Sequence, residues 1–243
     1  MSLSYHEWSA QWAKERQYRG ARISEEGPSS RIQRVINLWN GEMPSDWERR
    51  DWSFLKKRGF RRGDENDPQP EHRLEKTLFD HPKWDVKGEK VSMRLYAELN
   101  EISFGNLGNG QRKIVVLALL EIEGRSIPLA IEMKGRSTNN CWFAVVQNLQ
   151  QLGLLRSYPQ ALLATNALLK PFELLPLSNS WGMVLGPQEF FNTRGQKQNS
   201  FHQTQELVRA IRGKLGIVIL LAAFSKKIRG SIDLLTDVQT FSR

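Results

Sequence analysis

The chain has 243 residues, of which 40% are apolar and 25% are charged, as is typical of a globular protein with a full core. Its longest apolar run, Leu215 to Phe224, is too short to span a bilayer, and no N-terminal segment resembles a signal peptide. The single cysteine, Cys141, excludes an intrachain disulfide and a cysteine-rich zinc site. We therefore expect a cytoplasmic protein that does not associate with membranes.

The net charge is +9, and it is concentrated at one end of the chain. Residues 194 to 243 contain nine basic and three acidic residues, a net charge of +6. Such an excess favours a polyanionic partner through counterion release, with a merely solvated basic face as an equally open alternative. We expect nucleic acid, DNA before RNA. The candidate phosphate contacts are Arg136, Arg194, Lys197, Arg209, Arg212 and Lys214.

The first 65 residues hold five of the eight tryptophans. This aromatic content predicts a packed helical extension rather than a disordered tail, and the extension could bind a second copy or another protein. Trp8 and Trp12 are four residues apart, which indicates a packing stripe, with a base-stacking platform as the alternative. Residues 63–70 are a plausible linker. We therefore predict two units, the extension at residues 1–65 and an α/β domain at residues 70–243.

The α/β pattern begins with a predicted helix from Pro70 to Trp84, in which Glu71 and Glu75 share one face. Alternation over residues 91–102 predicts a strand, and the Gly- and Asn-rich residues 105–110 predict a loop. The β-branched run at residues 113–120 predicts a second strand. The turn that follows it, centred on Gly124 and Arg125, leads into a third strand and makes a β-hairpin.

The third strand ends in Glu132-Met133-Lys134. Because strand side chains alternate, a carboxylate and an ammonium are expected on one face. The carboxylate of Glu132 could hold a hard divalent cation such as Mg²⁺. Lys134 could position a water or offset charge on a phosphate. An ordinary solvated strand face is the alternative interpretation of such a pair.

Helical spacing at residues 140–156 predicts a helix after this motif, and Ala161 to Thr165 predicts a short strand. Further along, the pattern predicts a strand at Trp181 to Leu185 and a polar loop at Arg194 to Ser200. A helix at Thr204 to Leu215 and a strand at Ile217 to Phe224 complete the predicted elements. This order predicts an α/β fold with a mixed central sheet flanked by helices, behind the N-terminal helical extension.

Over about residues 70 to 224 the chain resembles the PD-(D/E)XK nuclease superfamily, the restriction-endonuclease-like fold. The resemblance rests on the order of elements, on Glu132-Met133-Lys134, on a helix glutamate and on a following glutamine. Glu75 in Arg73-Leu74-Glu75-Lys76 matches the helix glutamate, and Gln147 in Ala144-Val145-Val146-Gln147 matches the glutamine. The resemblance implies hydrolysis of phosphodiester bonds in DNA, with RNA as a further substrate, using Mg²⁺ or Mn²⁺.

The resemblance also implies roles for individual residues. Glu132 would be a metal ligand, Glu75 a second carboxylate or water-orienting group, and Lys134 the charge stabiliser. Gln147 would orient the phosphate or the lysine. Glu98, on the first predicted strand, is a further candidate ligand.

The chain departs from the superfamily at one position. The superfamily places an aspartate near the start of the second strand, and the matching stretch offers Val115. The predicted hairpin register sets Val115 opposite Lys134 and Leu117 opposite Glu132. Two further functions therefore stay open, namely a non-catalytic module that binds nucleic acid or assembles with other proteins, and a protein-interaction module. As substitutes for the aspartate we weigh Glu98 or Asn100 on the first strand and Glu121 at the far end of the second.

Overall fold

The computed structural model describes the parts of the chain that form the sheet, five helices and their closest connections. These are residues 3–16, 27–44, 83–87, 92–96, 101–106, 112–135, 140–157, 177–191, 196–224 and 231–236. Side chains are described at these positions except for 92–96, 101–106, 112–117 and 196–200.

The described helices and strands follow one another in the order of an α/β protein. The helices are α1 (Tyr5–Arg16), α2 (Pro28–Trp39), α3 (Cys141–Ser157), α4 (Gln188–Phe191) and α5 (Gln196–Leu215). The first five strands are β1 (Lys83–Lys87), β2 (Ser92–Tyr96), β3 (Glu101–Asn106), β4 (Arg112–Ile122) and β5 (Arg125–Met133). The last three are β6 (Trp181–Pro187), β7 (Ile219–Phe224) and β8 (Ser231–Leu234), and a short 3₁₀ turn at Leu177–Asn179 precedes β6.

The eight strands form one mixed sheet in the order β2-β1-β8-β7-β6-β5-β4-β3. Strands β5, β6 and β7 are parallel, as are β1 and β8, and the other pairs are antiparallel. The sheet curls so far that β2 also pairs with β4, which closes a ring of seven strands and leaves β3 outside it. The predicted α/β class, with a mixed sheet flanked by helices, is confirmed.

The two faces of the sheet belong to two separate cores. One core is built from strand side chains alone, among them Trp84, Leu120, Ile131, Leu185 and Phe224, and it fills the inside of the curl. The other core joins the alternate residues of the same strands to the helices. Both are almost wholly apolar, so burial of hydrocarbon on both faces stabilises the central strands.

The N-terminal helices are part of the second core. Helix α1 begins with a capping box, in which Ser4 Oγ accepts from the Glu7 amide at 3.3 Å and Glu7 Oε2 accepts from the Ser4 amide at 3.0 Å. Trp8 and Trp12 are buried in this core, as expected of a packing stripe. The Trp142 indole of α3 donates to the carbonyl of Glu15 at 3.0 Å, which ties α1 to α3.

Several predicted elements match well, and others need correction. The predicted helix at residues 140–156 is α3, where Asn140 Oδ1 accepts from the Phe143 amide at 2.8 Å and caps the first turn. The predicted polar loop at residues 194–200 is wrong at 196–200, which open α5. The predicted loop at residues 105–110 is wrong at 105 and 106, which end β3.

Other predictions fall wholly or partly outside the described residues. Trp84 lies in β1 and in the inner core, so the predicted helix cannot extend to it, and residues 70–82 of that helix are not described. The linker at residues 63–70 and the strand at residues 161–165 are likewise outside the description. The next strand described after α3 is β6, which runs parallel to β5.

Candidate functional site

Strand β5 presents opposite chemistry on its two faces. Leu129, Ile131 and Met133 point into the inner core, whereas Ala130 belongs to the core beneath the helices. By alternation, Glu132 and Lys134 project on the same side as Ala130, toward helix α3. Both are about 5% exposed, so the pair is buried beneath a helix. The alternative of an ordinary solvated strand face is therefore wrong.

Glu132 and Lys134 form a direct ion pair, with Lys134 Nζ 2.5 Å from Glu132 Oε1. Two glutamines on successive turns of α3 complete the contacts. Gln151 Nε2 donates to Glu132 Oε2 at 2.6 Å, and Lys134 Nζ donates to Gln147 Oε1 at 3.4 Å. Gln147 therefore contacts the lysine, and its role of orienting the phosphate or the lysine stays a prediction. Gln151 was missed by sequence analysis, although its i, i+4 spacing from Gln147 was visible.

Asn148 fixes the position of α3 over the sheet. Its Nδ2 donates to the carbonyl of Ala130 at 3.0 Å, so the helix is bonded directly to β5. The neighbouring strand makes room for it at Gly182, where an added Cβ would lie 2.1 Å from Asn148 Oδ1. Because position 182 has no side chain, α3 can lie close to the sheet. This close approach brings Gln147 and Gln151 to the ion pair.

A second cation, Arg16 at the end of α1, enters the same buried region. It is 7% exposed, and its guanidinium carbon lies 6.0 Å from the centre of the Phe143 ring. Lys134 Nζ lies 5.6 Å from that ring. Burial lowers the pKa of Arg16 to about 10, while the negative charge of Glu132 acts in the opposite direction. Arg16 therefore remains charged at neutral pH.

Among the described residues, the charges in this buried cluster do not balance. Their one carboxylate here, Glu132, is paired with Lys134 and also lies near Arg16. Within the part of the chain that the structure describes, Nε and Nη2 of Arg16 donate no hydrogen bond. Sequence analysis missed Arg16 because its proximity to Glu132 depends on how α1 packs, and no local pattern reveals that packing.

The hairpin register differs from the predicted one by two residues. The turn lies at Glu123 and Gly124, which both have positive φ values, of 50° and 77°. Two such residues are typical of a type I′ turn, and they leave Ile122 paired with Arg125 and Val116 paired with Ile131. Continuing this ladder by one pair sets Val115 opposite Glu132, so the predicted pairing of Val115 with Lys134 is wrong. The position beside Glu132 on β4 is still a valine.

The predicted metal site lies partly within the described residues. Glu75 and Glu98 lie outside the described residues, and among those described no group of three or more His, Cys, Asp or Glu side chains could hold a metal. Each oxygen of Glu132 already has a partner, Lys134 or Gln151. The described part of the site thus fits a divalent cation only if further oxygen ligands come from elsewhere in the chain.

The predicted nucleic-acid contacts are described for α5 alone. Arg209 and Lys214 are exposed on this helix, and Arg212 is partly buried. Lys214 Nζ donates to Gln33 Oε1 of α2 at 2.6 Å. Arg136 and Arg194 lie outside the described residues, and only the backbone of Lys197 is described.

Comparison of the chain with protein families, with curated proteins and with solved structures found no match. Among the described helices, none combines the length and the apolar character that crossing a membrane requires.

Proposed function

We propose that the protein is a metal-dependent nuclease that hydrolyses phosphodiester bonds of DNA, with RNA as a further substrate. One observation carries the proposal. Glu132 and Lys134 come together beneath α3, at the end of a hairpin strand that is followed by a helix and a parallel strand. This arrangement supports assignment to the restriction-endonuclease-like fold, whose sequence signature the chain resembles. Ligand sites of α/β proteins commonly lie at the carboxyl ends of parallel strands.

Each described residue has a role in this proposal. Glu132 is a metal ligand, and Lys134 stabilises negative charge that develops on the phosphate oxygens in the transition state. Gln147 orients Lys134 through the 3.4 Å hydrogen bond. Bound Mg²⁺ or Mn²⁺ would lower the pKa of a coordinated water and neutralise charge on the phosphate. Glu75 and Glu98 are the candidate sources of the second carboxylate that such an ion requires.

The direct test is cleavage of single- and double-stranded DNA and RNA with Mg²⁺ or Mn²⁺. We expect Lys134→Met to abolish cutting while leaving substrate affinity nearly unchanged, because an interaction made in the transition state affects turnover rather than binding. Lys87→Met, at an exposed strand lysine, is the matched control and should cut normally. Retained cutting in a folded Lys134→Met variant would contradict the role assigned to Lys134.

A second candidate function is a nuclease-fold module that binds nucleic acid without cutting it. Two observations favour it, namely the engagement of both Glu132 oxygens by Lys134 and Gln151 and the valine at position 115. Val115→Asp distinguishes the candidates, since it adds a carboxylate on the strand beside Glu132. Cutting gained by an otherwise inert protein would identify a decayed nuclease. Failure of both proteins to cut, with nucleic-acid binding retained, would favour the binding module.

We also propose that α5 contributes to the nucleic-acid surface. If Arg209 and Arg212 contact phosphates, affinity for DNA should fall steeply as salt rises. Replacing both by alanine should reduce the slope by about one unit per lost contact. Arg125→Ala, at the exposed hairpin turn, should leave the slope unchanged. An affinity that does not depend on salt would assign these charges to solubility.

A further inference from the structure

The buried cluster contains one positive charge more than its described acidic groups balance. Glu132 neutralises one of the two cations, and Arg16 and Lys134 both lie near the Phe143 ring. A buried ion without a hydrogen-bonding counterion is strongly unfavourable, so most buried charges in proteins are paired or bind a ligand. We therefore expect the positive charge of Arg16 to have an anionic partner.

Two N–H groups of Arg16 that have no acceptor among the described residues lie side by side, as two hydrogen bonds to one oxyanion require. Nε–H and the inner N–H of Nη2 point to the same side of the guanidinium, and both lack an acceptor within the described residues. This edge offers two parallel hydrogen bonds, which match two oxygens of a phosphate or carboxylate group. A phosphodiester carries one negative charge, which, without a bound metal, would bring the cluster of Glu132, Lys134 and Arg16 to neutrality.

Arg31 shows how a buried arginine is held when its role is packing. It is also 7% exposed, and it stacks on the Trp142 ring with its guanidinium carbon 4.9 Å from the ring centre. The corresponding distance from Arg16 to Phe143 is 6.0 Å, at the limit of a useful cation–π contact. Arg31 thus has a clear structural reason to be buried, whereas two donors of Arg16 have no acceptor in the part of the chain that the structure describes.

We propose that Arg16 binds a phosphodiester group of the substrate beside Glu132 and Lys134, so that helix α1 supplies a substrate-binding residue to the site. The identity of the ligand as a nucleic-acid phosphate rests on the proposed function. The binding of an oxyanion at Arg16 does not, because it is supported independently by the unbalanced charge of the described residues and by two Arg16 donors that lack an acceptor among them. Nε and Nη2 are sealed from solvent in this structure, so binding requires neighbouring side chains to move. The N-terminal segment is then part of the site.

The experiment measures thermal unfolding of the full chain without divalent metal, for wild type, Arg16→Met and Arg31→Met. The probe is a thymidine dinucleotide with one phosphodiester and no terminal phosphate, added over a concentration series. Parallel series use inorganic phosphate, which tests for a free phosphate site, and acetate, which tests for a carboxylate site. A saturable rise in Tm reports binding to the folded state, whereas nonspecific salt stabilisation increases without saturation.

We expect Arg16→Met to unfold at a higher Tm than wild type when no ligand is present, because methionine removes an uncompensated buried charge. The same variant should bind the dinucleotide roughly 10- to 100-fold more weakly, the range set by losing a charge-assisted hydrogen bond. Arg31→Met should bind it with wild-type affinity. A merely structural Arg16 would show the reverse, a lower Tm and no change in affinity.

Three outcomes would overturn the proposal. They are no saturable binding by wild type, unchanged binding by Arg16→Met, and a stronger response to acetate than to the dinucleotide. A preference for inorganic phosphate would overturn the phosphodiester assignment.

Cleavage assays separate this proposal from the proposed function. An inert wild type whose dinucleotide binding depends on Arg16 would refute the nuclease alone. An active enzyme whose KM is unaffected by Arg16→Met would refute the role of Arg16 alone.

Discussion

The two faces of strand β5 are buried to a similar degree but differ in what they bury. Leu129, Ile131 and Met133 enter an inner core of strand side chains, and this packing stabilises the fold. On the other face, Glu132 and Lys134 are removed from water together with Arg16. Buried ion pairs seldom stabilise a protein relative to apolar residues of the same volume. By this argument the helix-covered face contributes less to stability than the inner face does.

The largest effect should come from disturbing the charge balance on that face. We expect Glu132→Gln to lower the free energy of unfolding by about 3–5 kcal/mol, since it leaves two buried cations with no carboxylate among the described residues. Urea unfolding measures this change. Glu123→Gln, at the exposed hairpin turn, is the matched control and should change stability by less than about 0.5 kcal/mol. Equal effects of the two substitutions would mean that Glu132 is not the counterion of this cluster.

Removing all three charges of the cluster together should have the opposite effect on the free energy of unfolding. The triple variant Arg16→Met, Glu132→Leu and Lys134→Met makes the helix-covered face resemble the inner one. We expect its stability to equal or exceed that of wild type, by up to about 4 kcal/mol, and its cutting and dinucleotide binding to be lost. A triple variant less stable than Glu132→Gln would show that the ion cluster holds α3 in place.

The smallest of the three effects concerns the position of α3 over the cluster. We expect Gly182→Ala to lower the free energy of unfolding by about 1–3 kcal/mol, because the new Cβ displaces Asn148 from the Ala130 carbonyl. Gly213→Ala is the control, since nothing lies within 4 Å of a Cβ there and alanine favours an exposed helix by about 0.5–1 kcal/mol. The Tm should thus fall for Gly182→Ala and rise for Gly213→Ala.

The local parts of the fold could be predicted from the sequence. The β-branched run of β4, the apolar run of β5 and the helical spacing of α3 each depend on residues close together in the chain. The hairpin register was off by two because Glu123, rather than Arg125, shares the turn with Gly124. A non-glycine residue with positive φ carries little signal in a single sequence. A shift of two residues leaves each side chain on the same face of the sheet. The expectation that Glu132 and Lys134 share one face was therefore unaffected.

What sequence analysis missed depends on contacts between distant segments. Arg16 lies near Glu132 because α1 packs against α3, and neither helix indicates its partner in its own pattern. Strands β1 and β8 were missed for a related reason, since each is short and their pairing joins distant parts of the chain. The local sign of β1 in the sequence was the alternation of apolar Trp84 and Val86 with the charged residues beside them.

The closed ring of strands has a consequence for how the protein folds. Closure requires β1 to pair with β8, which joins Asp85 to Ser231, and the entropy lost in closing such a long loop slows this step. During synthesis the β4–β5 hairpin and α3 can form early, whereas β1 gains its second neighbour only after β8 has left the ribosome. Until then an edge of β1 is open to other chains. Pulse-labelled hydrogen exchange should accordingly protect the hairpin amides before those of β1 and β8.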